Sequence, residues 1–367
     1  MKKIITGVKP TGSSMHLGNL LGAVLPFQRI AEGNDAAIFI ADLHALTSVK
    51  NADDLKRNTL ELALTYFSVF GIDTPVHIFR QSDISLIPKL NWILNNVTPY
   101  SLMLRAHSFK DAENKKMEES GQSELGKNDN IRAKTADRSE AYWESMMNEE
   151  AQSLNMKIEV IPQLNMGVFN YPILMAADIL AYDIDVVPVG ADQKQHLEMT
   201  RDIAKAFNKT YKTDIFKLPT EHIEPDVAIL PGIDGRKMSK SYDNFIGIFD
   251  DDKTLKKKVM SIVTDSKWVD DIKDPEMCHV FALIKTFATS DRTESIQAKY
   301  LAPGYGYGHA KLELLLILTE YLRPYRENRA RLEGNLDLVE AKLLDGARVM
   351  NARIEAKMAE VKKVVGI

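Results

Sequence analysis

The feature that most limits what this chain can fold into is an alternation in its first eighty residues. Short apolar, β-rich runs at 3–8, 36–41 and 76–80 are separated by longer stretches, 17–31 and 52–70, whose apolar residues recur at helical spacing. The second of these stretches follows the polar pair Lys50-Asn51 and closes on Gly71, the expected start and stop signals of a helix. Strand, helix, strand, helix, strand predicts an α/β fold: an open, Rossmann-like parallel sheet with helices on both faces. Ligands of such sheets bind at the carboxyl ends of the strands.

The alternation stops at residue 108. Residues 108–163 are polar, with turn signals at Ser120-Gly121-Gln122-Ser123 and Gly126-Lys127-Asn128-Asp129, and read as an insertion or lid that is partly helical around 139–154. The pattern resumes with a helix at 172–182, a strand at 185–189 and a helix at 192–207. Beyond 250 it is almost wholly helical, over 252–263, 276–290, 292–300, 309–332 and 336–365. Two domains are expected from this, 1–250 around the sheet and 251–367 of helices, the last of which could pack back on the first domain; 367 residues suit two cores.

Composition excludes several classes. With 45% hydrophobic and 27% charged residues the chain is neither collagen-like, disordered nor a disulfide scaffold. Its single cysteine, Cys278, cannot form an internal disulfide or by itself build a zinc or iron–sulfur site, so no protein-ligated metal is expected. Residues 1–7 lack the apolar run of a signal peptide, and no stretch approaches the ~20 apolar residues of a membrane span. A cytoplasmic location is the expectation. The net charge of −4 is unevenly placed: 108–163 carry 8 Lys+Arg and 12 Asp+Glu, whereas 253–367 carry 20 and 16, a weak pointer to a polyanionic partner for the helical third.

Three clusters carry chemistry. The first follows the opening strand: Lys9-Pro10-Thr11-Gly12-Ser13-Ser14-Met15-His16-Leu17-Gly18-Asn19. A glycine-bearing loop running into a helix start offers backbone N–H groups and the positive end of the helix dipole to a phosphate. Gly18, without a Cβ, allows a flat adenine and ribose to lie against the backbone, and His16 and Asn19 are spaced to aim donors at one phosphate chain. The second cluster is Gly235-Arg236-Lys237-Met238-Ser239-Lys240-Ser241, a cationic strap suited to the β and γ phosphates of a nucleotide. The third spans 171–182 and 186–198. Tyr171, Met175 and Asp178 share one helix face by their spacing and form an apolar pocket with one carboxylate acceptor, apt for an indole, whose N–H only donates.

His16-Leu17-Gly18-Asn19 resembles the His-Ile-Gly-His element of the class I aminoacyl-tRNA synthetases, and Lys237 to Ser241 reproduces their Lys-Met-Ser-Lys-Ser element. The run from Tyr171 to Glu198, with its Val-Pro-Val-Gly-x-Asp-Gln-x-Gln-His segment, resembles the tryptophanyl members of that class. So do Ala41 to Thr47, Val263 to Ser266 and Gly304 to Gly306.

The resemblance implies a tryptophan–tRNA ligase working through a tryptophanyl-adenylate, with ATP and Mg2+, L-tryptophan and tRNA(Trp) as partners, and a homodimer. On this likeness Asp178 binds the indole nitrogen, Tyr171, Met175, Val187 and Val189 line the pocket, and His44 and Gln193 contact the amino acid's polar end. Lys9, Pro10, Thr11, Gly18, Asn19, Gly190, Ala191, Asp192, Ile229, Lys237, Met238, Ser239, Lys240 and Ser241 surround ATP. Lys237, Lys240, His16 and Asn19 carry the catalytic roles, and the helical third binds the anticodon stem.

Departures from the family pattern are Ile5 where an aromatic is common, Lys9 where glutamine is common, one extra residue before His16, and Ala112 after the lid-like Ser108 to Asp111, with Lys115 or Lys116 as the replacement charge. Three alternatives stand beside this reading: a tyrosyl-tRNA synthetase, a nucleotidylyltransferase with the His-x-Gly loop alone, and a non-catalytic RNA-binding relative.

Overall fold

The structure is a computed structural model that describes residues 1–12, 15–104, 165–190, 193–222 and 230–367. The predicted insertion at 108–163, with its helix at 139–154, lies outside the described residues, as do Ala191, Asp192 and Ile229.

Five parallel strands form the sheet: β1 (Lys3–Val8), β2 (Asp35–Ile40), β3 (His77–Arg80), β4 (Val186–Pro188) and β5 (Thr220–His222), in the order β3-β2-β1-β4-β5. Lys3 pairs with Asp35 and Val8 with Ile40, while Ile4 pairs with Val186 on the other side of β1. The chain moves outward from β1 to β3, then crosses back to the far side of β1. That reversal opens a crevice beyond the carboxyl ends of β1 and β4, where doubly wound sheets bind ligands.

Alternate residues of β1 to β4 enter two separate apolar clusters, as the period of two requires. Ile4, Ile38, Ile78 and Val186 face one way. Ile5, Phe39, Phe79 and Val187 face the other. Both faces are therefore covered, which explains why these strands read as continuous apolar runs.

The expected helix at 17–31 is a continuous stretch of three geometries: α1 (Leu17–Asn19), a π-helical turn (Leu20–Val24) and α2 (Leu25–Ala31). Next come α3 (Asp42–Ala45) and α4 (Ala52–Phe70). The latter is capped by Asn51, whose side chain accepts from the N–H groups of Asp53 and Asp54, and it ends at Gly71 with φ +85°. Then follow α5 (Ile87–Asn95) and α6 (Tyr100–Met103).

Helix α7 (Met166–Leu180) begins six residues before the expected start at Pro172, because Asn165 caps it by accepting from the Val168 N–H. Pro172 thus sits inside the helix rather than at its first turn. Helix α8 (Lys194–Tyr211) follows β4. The helical third comprises α9 (Asp252–Met260), α10 (His279–Phe287), α11 (Ser290–Tyr300), α12 (Tyr307–Glu333) and α13 (Leu336–Val365). Among the described residues no helix is long and apolar enough to cross a membrane.

One apolar cluster runs from β1 and α4 through α9, α10 and α12. Arg329 on α12 grips Glu61 on α4 with its two terminal guanidinium nitrogens, at 2.9 and 2.5 Å. The last helix wraps the edge of the sheet. Leu343 enters the cluster on one face, and Ala347, Met350, Ile354 and Met358 enter the cluster on the other. Arg80 at the end of β3 reaches Glu340, Asn351 donates to the Asp83 carbonyl, and Arg353 binds Asp35.

An exposed edge strand offers unpaired backbone groups to other chains, and α13 covers this one. The approach is closest at Gly346, where a Cβ would lie 2.3 Å from the Ile78 carbonyl oxygen. Alanine would gain about 1 kcal/mol in helix propensity, but here it must push α13 away from a backbone that cannot yield. We expect Gly346→Ala to lower stability by about 1–3 kcal/mol, read as a loss of the denaturation midpoint; a stabilised variant would contradict the contact.

Candidate active site

The first and second clusters, more than two hundred residues apart, meet through backbone pairing. Leu17 N–H donates to the Ile246 carbonyl at 3.0 Å and Ile248 N–H to the Met15 carbonyl at 3.1 Å, so the helix start is stitched to the segment just after the lysine strap. Met238 is buried in the same apolar cluster as Met15 and Leu17, 3.9 Å from where a Cβ on Gly18 would stand.

His16 caps α1. Its Nδ1 accepts from the Asn19 N–H at 3.2 Å while the Asn19 side-chain oxygen accepts from the His16 N–H at 3.4 Å, a reciprocal capping box. The ring is 6% exposed, and burial together with the nearby Lys240 ammonium pulls its pKa down to about 4. It is therefore neutral at pH 7, and with Nδ1 accepting, the proton sits on Nε2 as a donor. Gly18 has a steric role of its own: a Cβ there would lie 3.0 Å from the His16 ring.

The strap is a small hairpin. Pro231 and Lys237 form an antiparallel bridge, the Met238 N–H donates to the Leu230 carbonyl, and Gly235 turns the chain with φ +81°. Its conformation is held by Asn244, 1% exposed, which accepts from the Ser239 N–H at 2.8 Å and donates to Asp234 at 2.6 Å and to the Lys237 carbonyl at 3.1 Å.

Lys237 is exposed, whereas Lys240 turns inward and burial lowers its pKa. Lys240 lines a cleft with Val8, Lys9, Pro10, Thr11 and Asn19, closed on the α4 side by Asn58 and Tyr66. Lys9, the departure from the family's glutamine, is also lowered by burial and donates to Thr47 Oγ1 at 2.8 Å. Thr47 donates in turn to the His44 carbonyl, so Lys9 ties the phosphate loop to the turn after β2.

That turn leads to the third cluster. Asp178 is 2% exposed, and its carboxylate accepts from Gln81 Nε2 at 2.9 and 2.8 Å and lies 3.0 Å from His44 Nε2. Burial raises its pKa, and the contacts with His44 and Gln81 oppose that shift. Tyr171 OH is 2.6 Å from His196 Nε2, and His196 Nδ1 is 3.1 Å from Gln193 Oε1, which makes a second polar chain alongside. The His44 and Tyr171 rings meet edge to face at 5.9 Å. Val187 is buried in the apolar cluster of this face, with Met175 and Val189 packed against it.

Tyr171, Asp178, His44 and Gln193 are thus brought together, and Lys9, Thr11, Asn19 and Lys240 share one cleft. His44, expected at the amino acid's polar end, touches Asp178 itself. Gly190 follows β4 at its carboxyl end. Three residues escaped the sequence reading: Gln81, His196 and Asn244. Gln81 stands one residue beyond β3, a position where sheets of this class place ligand groups, so a local signal existed. Asn244 carries none, since its partners are gathered by the fold of the strap.

The family described as tRNA synthetases class I (W and Y) matches residues 1–323. The chain is similar to the tryptophan–tRNA ligase of Fusobacterium nucleatum, 40% identical over all of this chain and 98% of that one, and to that of Rhodopirellula baltica, 37% identical over 94% and 93%. Among solved structures it is similar to the tryptophanyl-tRNA synthetase of Campylobacter jejuni in complex with ADP and tryptophan, with a TM-score of 0.81 and 34% identity over the full length of both. Backbone pairing between the helix start and the segment after the lysine strap, a buried carboxylate beside His44 and Tyr171, and full-length likeness lead to one conclusion: the chain belongs to the class I tRNA synthetases of the tryptophan and tyrosine group, within the family of tryptophan–tRNA ligases.

Proposed function

We propose that this chain activates L-tryptophan with ATP to tryptophanyl-adenylate, releasing pyrophosphate, and passes the tryptophanyl group to tRNA(Trp), releasing AMP. The observation that carries the reading is the convergence of Lys9, Asn19 and Lys240 on one cleft beside neutral His16, on the same edge of the sheet as the buried carboxylate of Asp178.

In the first step a carboxylate oxygen of tryptophan attacks the α-phosphorus in line, and the bond to the bridging oxygen of pyrophosphate breaks. Lys237 and Lys240 meet the charge that develops on the leaving phosphates, and His16 Nε2–H and the Asn19 amide donate to the phosphate chain. Pro10, Thr11, Gly18, Gly190, Ala191, Asp192, Ile229, Met238, Ser239 and Ser241 complete the ATP site. Magnesium would arrive on the phosphates and offset their charge. Hydrated Mg2+ at such sites would be held largely by phosphate oxygens, which fits a cleft whose lining offers Lys9, Lys240 and a single carboxylate, Glu61, that is already bound by Arg329.

Asp178 accepts the indole N–H, Tyr171, Met175, Val187 and Val189 enclose the ring, and Gln193 with His44 faces the amino acid's polar end. In the second step a terminal ribose hydroxyl of the tRNA, the 2′ hydroxyl in class I enzymes, attacks the activated carbonyl and AMP leaves. No side chain forms a covalent bond. Rate enhancement comes from placement and from cations matched to the departing charge. Residues 251–367, net positive over 253–367, bind the anticodon arm through phosphates and stacked bases. The reading includes a homodimer acting in the cytosol, on family likeness alone.

ATP–pyrophosphate exchange tests the reading directly: tryptophan should support exchange and tyrosine should not, and a preference for tyrosine would overturn it. Asp178→Ala should raise the tryptophan KM by about 10- to 100-fold, the worth of a hydrogen bond to a charged group, with the ATP KM little moved. Lys240→Ala should lower the exchange kcat by about 100- to 1,000-fold. Full exchange activity in that variant would remove Lys240 from the mechanism.

A further inference from the structure

The donors that hold the Asp178 carboxylate come from distant parts of the chain. Gln81 Nε2 donates to both carboxylate oxygens, at 2.9 and 2.8 Å, across 97 positions of sequence. Gln81 is itself 1% exposed, and its Oε1 accepts the His44 backbone N–H at 3.3 Å. The turn that carries it, Gln81–Asp83, is pinned by Asp42, which accepts from the Ser82 N–H at 2.9 Å and from the Ser82 hydroxyl.

The lone pairs are unequally used. Oδ2 has Gln81 and His44 as neighbours, whereas Oδ1 has Gln81 alone. A carboxylate offers about four acceptor positions, so Oδ1 keeps the one best placed for a further donor.

We propose that Gln81 is a positioning residue that sets amino-acid specificity: its two N–H···O contacts hold the Asp178 carboxylate ionised and turned so that Oδ1 receives an indole N–H. The inference rests on the tryptophan reading above. A carboxylate that lacks these donors in an apolar site takes up a proton. It then presents an O–H donor and a weaker acceptor, which no longer favours a ring whose only polar hydrogen is an N–H. The titratable groups facing Asp178 are His44 and Asp42 from the turn after β2 and Tyr182 beyond its own helix, while His196 from α8 reaches Tyr171 instead. Burial, with the Asp42 carboxylate adding to it, holds the Asp178 pKa above the usual carboxylate value, and the His44 and Gln81 bonds oppose that rise.

The test is ATP–pyrophosphate exchange by the full chain with tryptophan and with 3-(benzothiophen-3-yl)alanine, a ring of the same shape with sulfur in place of N–H. Wild type should prefer tryptophan. In Gln81→Met, of similar size but with no donor, that preference should fall by about 10- to 100-fold, with the ATP KM unchanged. The tryptophan KM of this variant should also fall as pH rises from 6 to 9, because ionisation restores the acceptor. A merely structural role would move the ATP KM as well and add no pH dependence of this sign.

Gln81→Glu keeps the shape and can share only one proton with Asp178, so its tryptophan KM should rise with pH, the opposite slope. Undiminished preference in Gln81→Met, or equal slopes in the two variants, overturns the proposal. A wild-type enzyme that fails to distinguish the two amino acids overturns the indole reading itself, and this inference with it.

Discussion

The site depends on where a parallel sheet reverses its direction of growth. Because β1 has β2 on one side and β4 on the other, the loops that leave these two carboxyl ends must part, and nothing in the sheet fills the gap between them. The loop after β1 comes from one bank of the crevice and Val189-Gly190 from the other. The other parts of the candidate site are arranged around this gap: the strap is stitched to the first loop by the pairing of 15–17 with 246–248, and the buried carboxylate of Asp178 lies where α7 reaches the ends of β2 and β3.

Within that frame the costly element is the buried carboxylate. An ionised group taken from water costs several kcal/mol unless hydrogen bonds replace the lost hydration. Gln81 and His44 supply them, and each comes from the end of a different strand. Asp42 then secures the turn that bears Gln81. Polar groups placed so deeply make the pocket stiff, since any rotation of Asp178 abandons at least one bond. The phosphate side differs. Its lysines are only partly covered, and the strap that carries Lys240 is held mainly by one amide, Asn244.

The helical third and the sheet are joined by a wide apolar cluster and by α13, which covers the edge that β3 would leave open. Arg80 illustrates how closely these functions are linked. It ends β3, binds Asp83 and Glu340, and immediately precedes Gln81. The strand end that supports the carboxylate is therefore also the strand end clasped by the last helix.

The sequence alone determined what depends on neighbours along the chain. Short continuous apolar runs gave β1 to β3 to within a residue at each end, the caps Asn51 and Gly71 bounded α4, the 336–365 helix matched α13 end to end, and the contiguous motifs around His16, Lys240 and Asp178 announced the family. It missed β5, three residues long, and the true start of α7, where Pro172 reads as a first turn although Asn165 is the cap. Tertiary structure decided what depends on register between elements: that Gln81 meets Asp178, that His44 braces the carboxylate, and that α13 presses Gly346 onto Ile78. Spacing within a segment is fixed by 3.6 residues per helical turn or two per strand repeat. Which side chain meets which between elements far apart in sequence is fixed by how packed elements slide to fill a core, and no local pattern records that.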